Sequence, residues 1–212
     1  MNAPMTAKRR VLHVGCGYRH ERTGQTHEAF RDWEEVRLDI DPDVAPDILA
    51  SITSMKMVPD GTFDAVFSRH NLEHLEYHEV PLALREFRRV LKPDGFALIA
   101  VPDLQTVAGL IAEGKLEEPF GVSPVGPISP IDTLYGLRSA LRDGRRQMAH
   151  RTGFVMTTIT RLITEVGFVE AGAVRLARTL ELWVEARTEP GKPDHLAAMV
   201  AEDRMMRAPS TP

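Results

Sequence analysis

The chain has 212 residues, 43% hydrophobic and 26% charged, with a formal net charge of −4 and one cysteine. That is the balance of a soluble globular protein long enough for one sizeable core. The negative charge argues against nucleic-acid binding through a whole-surface basic field, and no apolar run reaches the ~18 residues of a membrane span. Cys16 alone excludes an internal disulfide or a cysteine-only metal cluster. The basic start Lys8-Arg9-Arg10 leads into apolar residues that soon break at Gly15-Cys16-Gly17, which argues against a secretory signal. A cytoplasmic location is expected.

The first half alternates strands with loops and helices. Val11 to Val14 is a short apolar run ending at glycines, the pattern of a buried parallel strand. Glu35 to Asp39 alternates and closes on an acid, Phe63 to Phe67 is a third strand, and Gly95 to Val101 is the strongest. Val80, Leu84, Phe87 and Leu91 recur at helical spacing, with Pro81 suited to a first turn and Lys92-Pro93-Asp94-Gly95 read as a stop and turn. Strand, helix, turn, strand is a right-handed crossover unit, and its repetition predicts an α/β sheet with helices on both faces.

After Val101 the rhythm breaks. Residues 102–151 carry Pro119, Pro124, Pro127 and Pro130 with interspersed glycines, the composition of loops, and only Val107 to Ile111 suggests a helix. Glu117 to Asp132 is expected to be a mobile cover. Ile159, Leu162, Ile163 and Val166 then form a helical stripe stopped by Gly167. Phe168–Val174 and Leu180–Ala186 follow as strands, the latter alternating Leu180, Leu182 and Val184 against Glu181, Trp183 and Glu185. The tail from residue 189 offers a short amphipathic helix at Leu196, Met199 and Val200 before a frayed end.

Chemistry concentrates at the first strand. Two glycines after it let the backbone turn sharply and a ligand approach the main chain, and an acid ending the next strand, Asp39, can accept both hydroxyls of a ribose. Asp41 is the alternative acid should the register shift by two. The glycine pair alone is equally a tight strand–turn; with Asp39 some 20 residues on, a nucleoside ligand is the better reading.

The ordered series Val11–Gly17, Leu38-Asp39-Ile40-Asp41-Pro42, Pro59–Val66, Ser68–Leu75 and Glu86–Gly95 resembles the class I S-adenosylmethionine-dependent methyltransferases, small-molecule type. The run Met148–Phe154 is similar to an uncharacterised bacterial subgroup. The resemblance implies a doubly wound, mostly parallel seven-stranded Rossmann-like sheet over residues 1–188, with an irregular insertion or lid at 102–151 after strand five and a tail at 189–212. Its reversed last strand would be Leu180 to Ala186. It implies S-adenosylmethionine as cofactor, held at His13, Gly15, Cys16, Gly17, Asp39, Ile40, Ser51, Ile52 and Ser68. Methyl transfer to an unidentified small-molecule acceptor would follow, with His70 as base and His150 and Asp103 behind it. No nucleic acid or membrane is expected as partner; a homodimer is allowed.

The chain also departs from the family's pattern. His13 stands for an acid, Arg19 for a third glycine and Ser51 for the acid that commonly binds the adenine amine, while residues 18–26 make a poor version of the usual helix. These departures leave open a second reading, a methyltransferase-like binding or partner module without turnover. A nicotinamide dehydrogenase is disfavoured, because His20 sits where its third glycine belongs. His70-Asn71-Leu72-Glu73-His74 spells H-x-x-E-H, a zinc motif when helical, but no clear third ligand follows beyond His78, and no metal is expected. Cys16 reads as a small packed residue and the arginines of the 84–91 helix as a solvated face.

Overall fold

A computed structural model describes residues 8–18, 27–123, 126–176, 179–191 and 194–205. The loop carrying Arg19 and His20, and with it the weak helix expected across 18–26, lies for the most part outside the described residues, as does Pro124.

Seven strands form one sheet: β1 (Arg10–Val14), β2 (Glu34–Asp39), β3 (Ile48–Leu49), β4 (Phe63–Arg69), β5 (Leu91–Pro102), β8 (Glu170–Leu176) and β9 (Glu181–Arg187). Their order is β3-β2-β1-β4-β5-β9-β8. Only β9 is reversed, antiparallel to β5 on one side and to β8 on the other. The expected doubly wound sheet with one reversed strand is therefore present. No helix among the described residues is long and apolar enough to cross a membrane.

Both faces are covered, which is why the central strands read as continuous apolar runs. On one face α1 (Val80–Val90) and α5 (Met156–Glu165) bring Val80, Leu84, Phe87, Ile159 and Ile163 onto Leu12, Val14, Val66 and Ile99. Phe87 is fully buried, so its truncation to Ala should cost about 3–5 kcal/mol. On the other face α6 (Asp194–Met205) and the turn Glu28–Phe30 cover Val11, Phe67, Phe96 and Trp183 with Leu196, Met199 and Phe30. The tail helix is thus part of the core.

Two local readings change. Lys92 to Gly95, read as a turn, belongs to β5, whose register with β4 shifts between Phe63 and Ala65. Gly95 allows that passage, because a Cβ there would stand 3.0 Å from the Lys92 carbonyl oxygen. Residues 102–151 are also more regular than their prolines suggested. They hold α2 (Leu104–Ala112), a hairpin of β6 (Gly121–Ser123) and β7 (Gly126–Ile128), α3 (Pro130–Tyr135) and α4 (Arg138–Arg142). Pro130 opens α3 at a first-turn position, where its missing N–H costs nothing, and Gly136 closes it with φ +97°.

Candidate active site

The parallel strands β1, β2, β4 and β5 all end on one edge, and the order reverses direction between β1 and β4, the place where open α/β sheets bind ligands. A cleft of about 190 Å³ lies there, lined among others by Gly15, Asp39, Ile40, Ser51, Asn71 and His74.

Gly15 and Gly17 both take the left-handed conformation, at φ +62° and +57°. Gly15 also has a steric reason to lack a side chain: its Cβ would come within 2.5 Å of the Asn71 side chain. Asp39 holds the turn from the neighbouring strand. Its Oδ2 accepts the Gly17 N–H at 2.9 Å and its Oδ1 the Asp41 N–H at 3.0 Å, so each carboxylate oxygen retains a free lone pair. Asp41 instead accepts from Asp43 N–H and caps the turn Pro42–Val44. Buried Arg37 stitches the same region through its guanidinium, donating to the carbonyls of Gly17 and Ala45.

Ser51 turns its hydroxyl toward Thr53, whose N–H donates to it at 3.2 Å. Ile52 is buried beneath the cleft. Ser68 sits in β4 between Val14 and Ile99, fully buried, with an Oγ that has no hydrogen-bond partner among the described residues. His13 points to the other face of β1, against the Phe67 ring, and its Nδ1 lies 2.8 Å from Glu35 Oε1. The half-buried Cys16 thiol is pushed up to about 11, chiefly by burial, and is no nucleophile at neutral pH.

His70 follows β4 in a left-handed conformation, φ +50°, rare for a residue with a Cβ. Its Nδ1 is 3.2 Å from Glu73 Oε1 and its Nε2 is 2.6 Å from Glu181 Oε1. Desolvation opposes protonation of this half-exposed ring, but the hydrogen bonds to Glu181 and Glu73 overcome it and raise the pKa to about 9. Glu181, buried at the start of β9, also accepts from Arg69 and from Trp183 Nε1; burial would raise its pKa, but His70, with Arg69 behind it, holds it below the usual carboxylate range.

Asp103 is fully buried at the end of β5, where it caps α2 through Gln105 N–H and pairs with Arg175. His150 packs edge-on against His74, ring centroids 4.9 Å apart, and burial lowers its pKa. The strap carrying it is fastened to the turn after β4, since Arg151 and Thr152 donate their N–H groups to the Glu73 carbonyl at 2.8 and 3.2 Å. Ligand atoms of Glu73, His74 and His150 all lie within 4.8 Å of one another.

Residues 12–99 match the family model described as a methyltransferase domain. That stretch is similar to a methyltransferase domain. No curated protein matches the sequence. Solved structures share the fold. A SAM-dependent methyltransferase from Archaeoglobus fulgidus is 16% identical with a TM-score of 0.56, over 85% of this chain and 86% of that one. A SAM-dependent methyltransferase from Methanosarcina mazei is 14% identical with a TM-score of 0.55, over 86% and 93%. The 1,6-didemethyltoxoflavin-N1-methyltransferase of Burkholderia thailandensis, solved with 1,6-didemethyltoxoflavin and S-adenosylhomocysteine, is 15% identical with a TM-score of 0.50, over 85% and 71%.

Gly15, Asp39, Ile40, Ser51 and Ile52 are brought together around the cleft. His13, Cys16, Gly17, Ser68, His70, Asp103 and His150 are not among the lining residues. Asn71, His74, Glu79, Gln147 and Arg151 line the cleft without having been singled out as site residues. Asn71 and His74 stand inside the Ser68–Leu75 motif and Arg151 inside the Met148–Phe154 run; the place of Gln147 and Arg151 at the cleft depends on the strap's docking, which no local pattern reports.

Proposed function

We propose that this methyltransferase domain transfers a methyl group from S-adenosylmethionine to a small-molecule acceptor. The observation that carries the reading is Asp39 at the rim of the switch-point cleft. Its carboxylate is fixed by two backbone N–H groups and keeps lone pairs for ribose hydroxyls, beside a glycine turn open to close main-chain approach. Bound S-adenosylmethionine would supply an electrophilic methyl carbon on sulfur. Gly15 and Asp39 would hold the cofactor's amino-acid and sugar portions respectively, with Ile40, Ser51 and Ile52 along the base, while Asn71 and Arg151 offer donors to the acceptor. The Burkholderia enzyme, solved with 1,6-didemethyltoxoflavin and S-adenosylhomocysteine on the same fold, supports methyl transfer as the reading.

Aligning the acceptor with the departing sulfur is the main task, and a hydroxyl acceptor must also lose its proton. We place His70 here as a fixed cation: both of its nitrogens face carboxylates, so the ring has no lone pair to offer. The free imidazole lone pairs beside the cleft belong to Nε2 of His74 and His150, whose Nδ1 atoms face the carbonyl oxygens of Ala149 and Thr133. Asp103, engaged by Arg175 and the start of α2, holds the fold.

Calorimetry with S-adenosylhomocysteine tests the reading. Asp39→Ala should weaken binding at least tenfold, since hydrogen bonds to a carboxylate contribute about 1.5–3 kcal/mol, and Asp41→Ala should leave it nearly unchanged. Equal affinity in wild type and Asp39→Ala removes the assignment. Binding without methyl transfer to any acceptor would favour the module without turnover.

A further inference from the structure

Glu73, His74 and His150 share a feature that methyl transfer does not require. Both imidazoles are oriented from behind by a backbone carbonyl, His74 Nδ1 to Ala149 O at 3.1 Å and His150 Nδ1 to Thr133 O at 2.6 Å. A carbonyl only accepts, so each neutral ring carries its proton on Nδ1 and keeps the Nε2 lone pair. Metal-bound histidines are held in this way. Glu73 adds a carboxylate. Its Oε1 engages His70, while Oε2 has no hydrogen-bond partner among the described residues, in a side chain only 1% exposed. Such an orphaned oxygen is costly to bury, and a cation would satisfy it. The nearby guanidinium of Arg151 does not do so; it pairs with Glu76 at 3.0 Å.

We propose that Glu73, His74 and His150 bind a divalent first-row transition-metal ion of the zinc class. Two imidazole nitrogens and one carboxylate suit such an ion, whereas magnesium and calcium prefer oxygen ligands. Ligands ~2.0–2.1 Å from a tetrahedral ion stand about 3.3 Å apart, so atoms already within 4.8 Å close around it by small side-chain rotations. Three protein ligands leave a fourth position, as catalytic zinc sites do. His74 also lines the cleft, so an acceptor hydroxyl there has access to that position, where the ion would ease its deprotonation. This last role rests on the methyl-transfer reading; metal binding does not.

The test uses untagged, chelator-treated full-length protein titrated with Zn²⁺ by calorimetry and with Co²⁺ by visible absorption. One ion per chain is expected, with a Co²⁺ spectrum of a four-coordinate, imidazole-ligated site. His150→Gln and Glu73→Gln, checked for folding by circular dichroism, should each weaken binding at least tenfold, and His78→Gln should not. The wild-type Co²⁺ spectrum reports imidazole ligation even where a variant fails to fold. No binding to folded wild type, unchanged affinity in folded His150→Gln, or loss in His78→Gln would overturn the site. S-adenosylhomocysteine binding measured on the same preparation reports separately on the cofactor cleft.

Discussion

His70 Nε2 lies 2.6 Å from Oε1 of Glu181, linking the segment after β4 to the first residue of the reversed strand β9. The pair ties the reversed strand to the segment after β4 across a long stretch of chain. Because the folded pKa of His70 is raised to about 9 from an ordinary 6.5, its stabilisation is full below about pH 6.5 and disappears as pH rises through 9. In metal-free protein the melting temperature of wild type should exceed that of Glu181→Gln at pH 6.5, with the gap narrowing by pH 9.5. A gap that stays constant over this range would show that Glu181 acts through Arg69 and Trp183 alone.

The same contact underlies the role proposed for His70. A ring donating both of its protons to carboxylates cannot accept another, so His70→Gln should lower turnover by less than about tenfold once an acceptor is known. Cofactor affinity should change by no more than a few-fold. A fall of about 10²-fold or more in kcat, with the protein still folded, would restore the histidine as general base.

The two glycines of the first turn should separate by substitution. Both Gly15→Ala and Gly17→Ala incur the left-handed penalty of about 1–2 kcal/mol. Only Gly15→Ala also drives a Cβ into Asn71, at 2.5 Å, while nothing stands within 4 Å at Gly17. Gly15→Ala should therefore lower the melting temperature more and lose S-adenosylhomocysteine binding, and Asn71→Ala in the same chain should restore part of the stability. Equal losses from the two single variants would mean that conformation alone governs the turn.

The sheet and its main helices were legible because each carries a strong local pattern. Val11–Val14 is apolar on both faces, and the stripe of Val80, Leu84 and Phe87 has one buried side. Glu181 and Glu185 were harder to read. Alternation sets them apart from the apolar row of Leu180, Leu182 and Val184, yet β9 lies between β5 and β8 with α6 packed on it, so both faces are buried and the acids need partners. Those partners, His70 and Arg69 for Glu181 and His195 and Arg187 for Glu185, include residues far along the chain. The H-x-x-E-H run likewise depends on tertiary structure. Leu72–His74 is a single turn of 3₁₀ helix, so α-helical spacing does not apply, and the strap brings His150 beside Glu73 and His74. In the insertion, Pro130 and Gly136 mark the ends of a helix, where their restricted or permissive backbones fit.

That helix provides an acid-sensitive anchor. Asp132 Oδ2 accepts from the Ser129 N–H and hydroxyl at 3.1 and 2.7 Å, and Oδ1 accepts from Arg138 Nε at 2.8 Å. Burial would raise its pKa, but Arg138 and Ser129 prevail and bring it from an ordinary 3.8 to about 2. A depressed folded pKa means the contribution is present above about pH 4 and lost as pH falls through 2. For a carboxylate only 5% exposed, this amounts to roughly 2 kcal/mol. Urea unfolding of wild type and Asp132→Asn should therefore differ by about that amount at pH 6, with the difference shrinking steadily below pH 4. A difference independent of pH would mean that Asp132 stabilises α3 through hydrogen bonds its neutral form makes equally well. Limited proteolysis adds a local readout: cleavage near residues 117–132 should rise in Asp132→Asn at pH 6 while the sheet core stays protected, because Arg138 also bridges to Glu117 at 3.2 Å and would lose its main anchor.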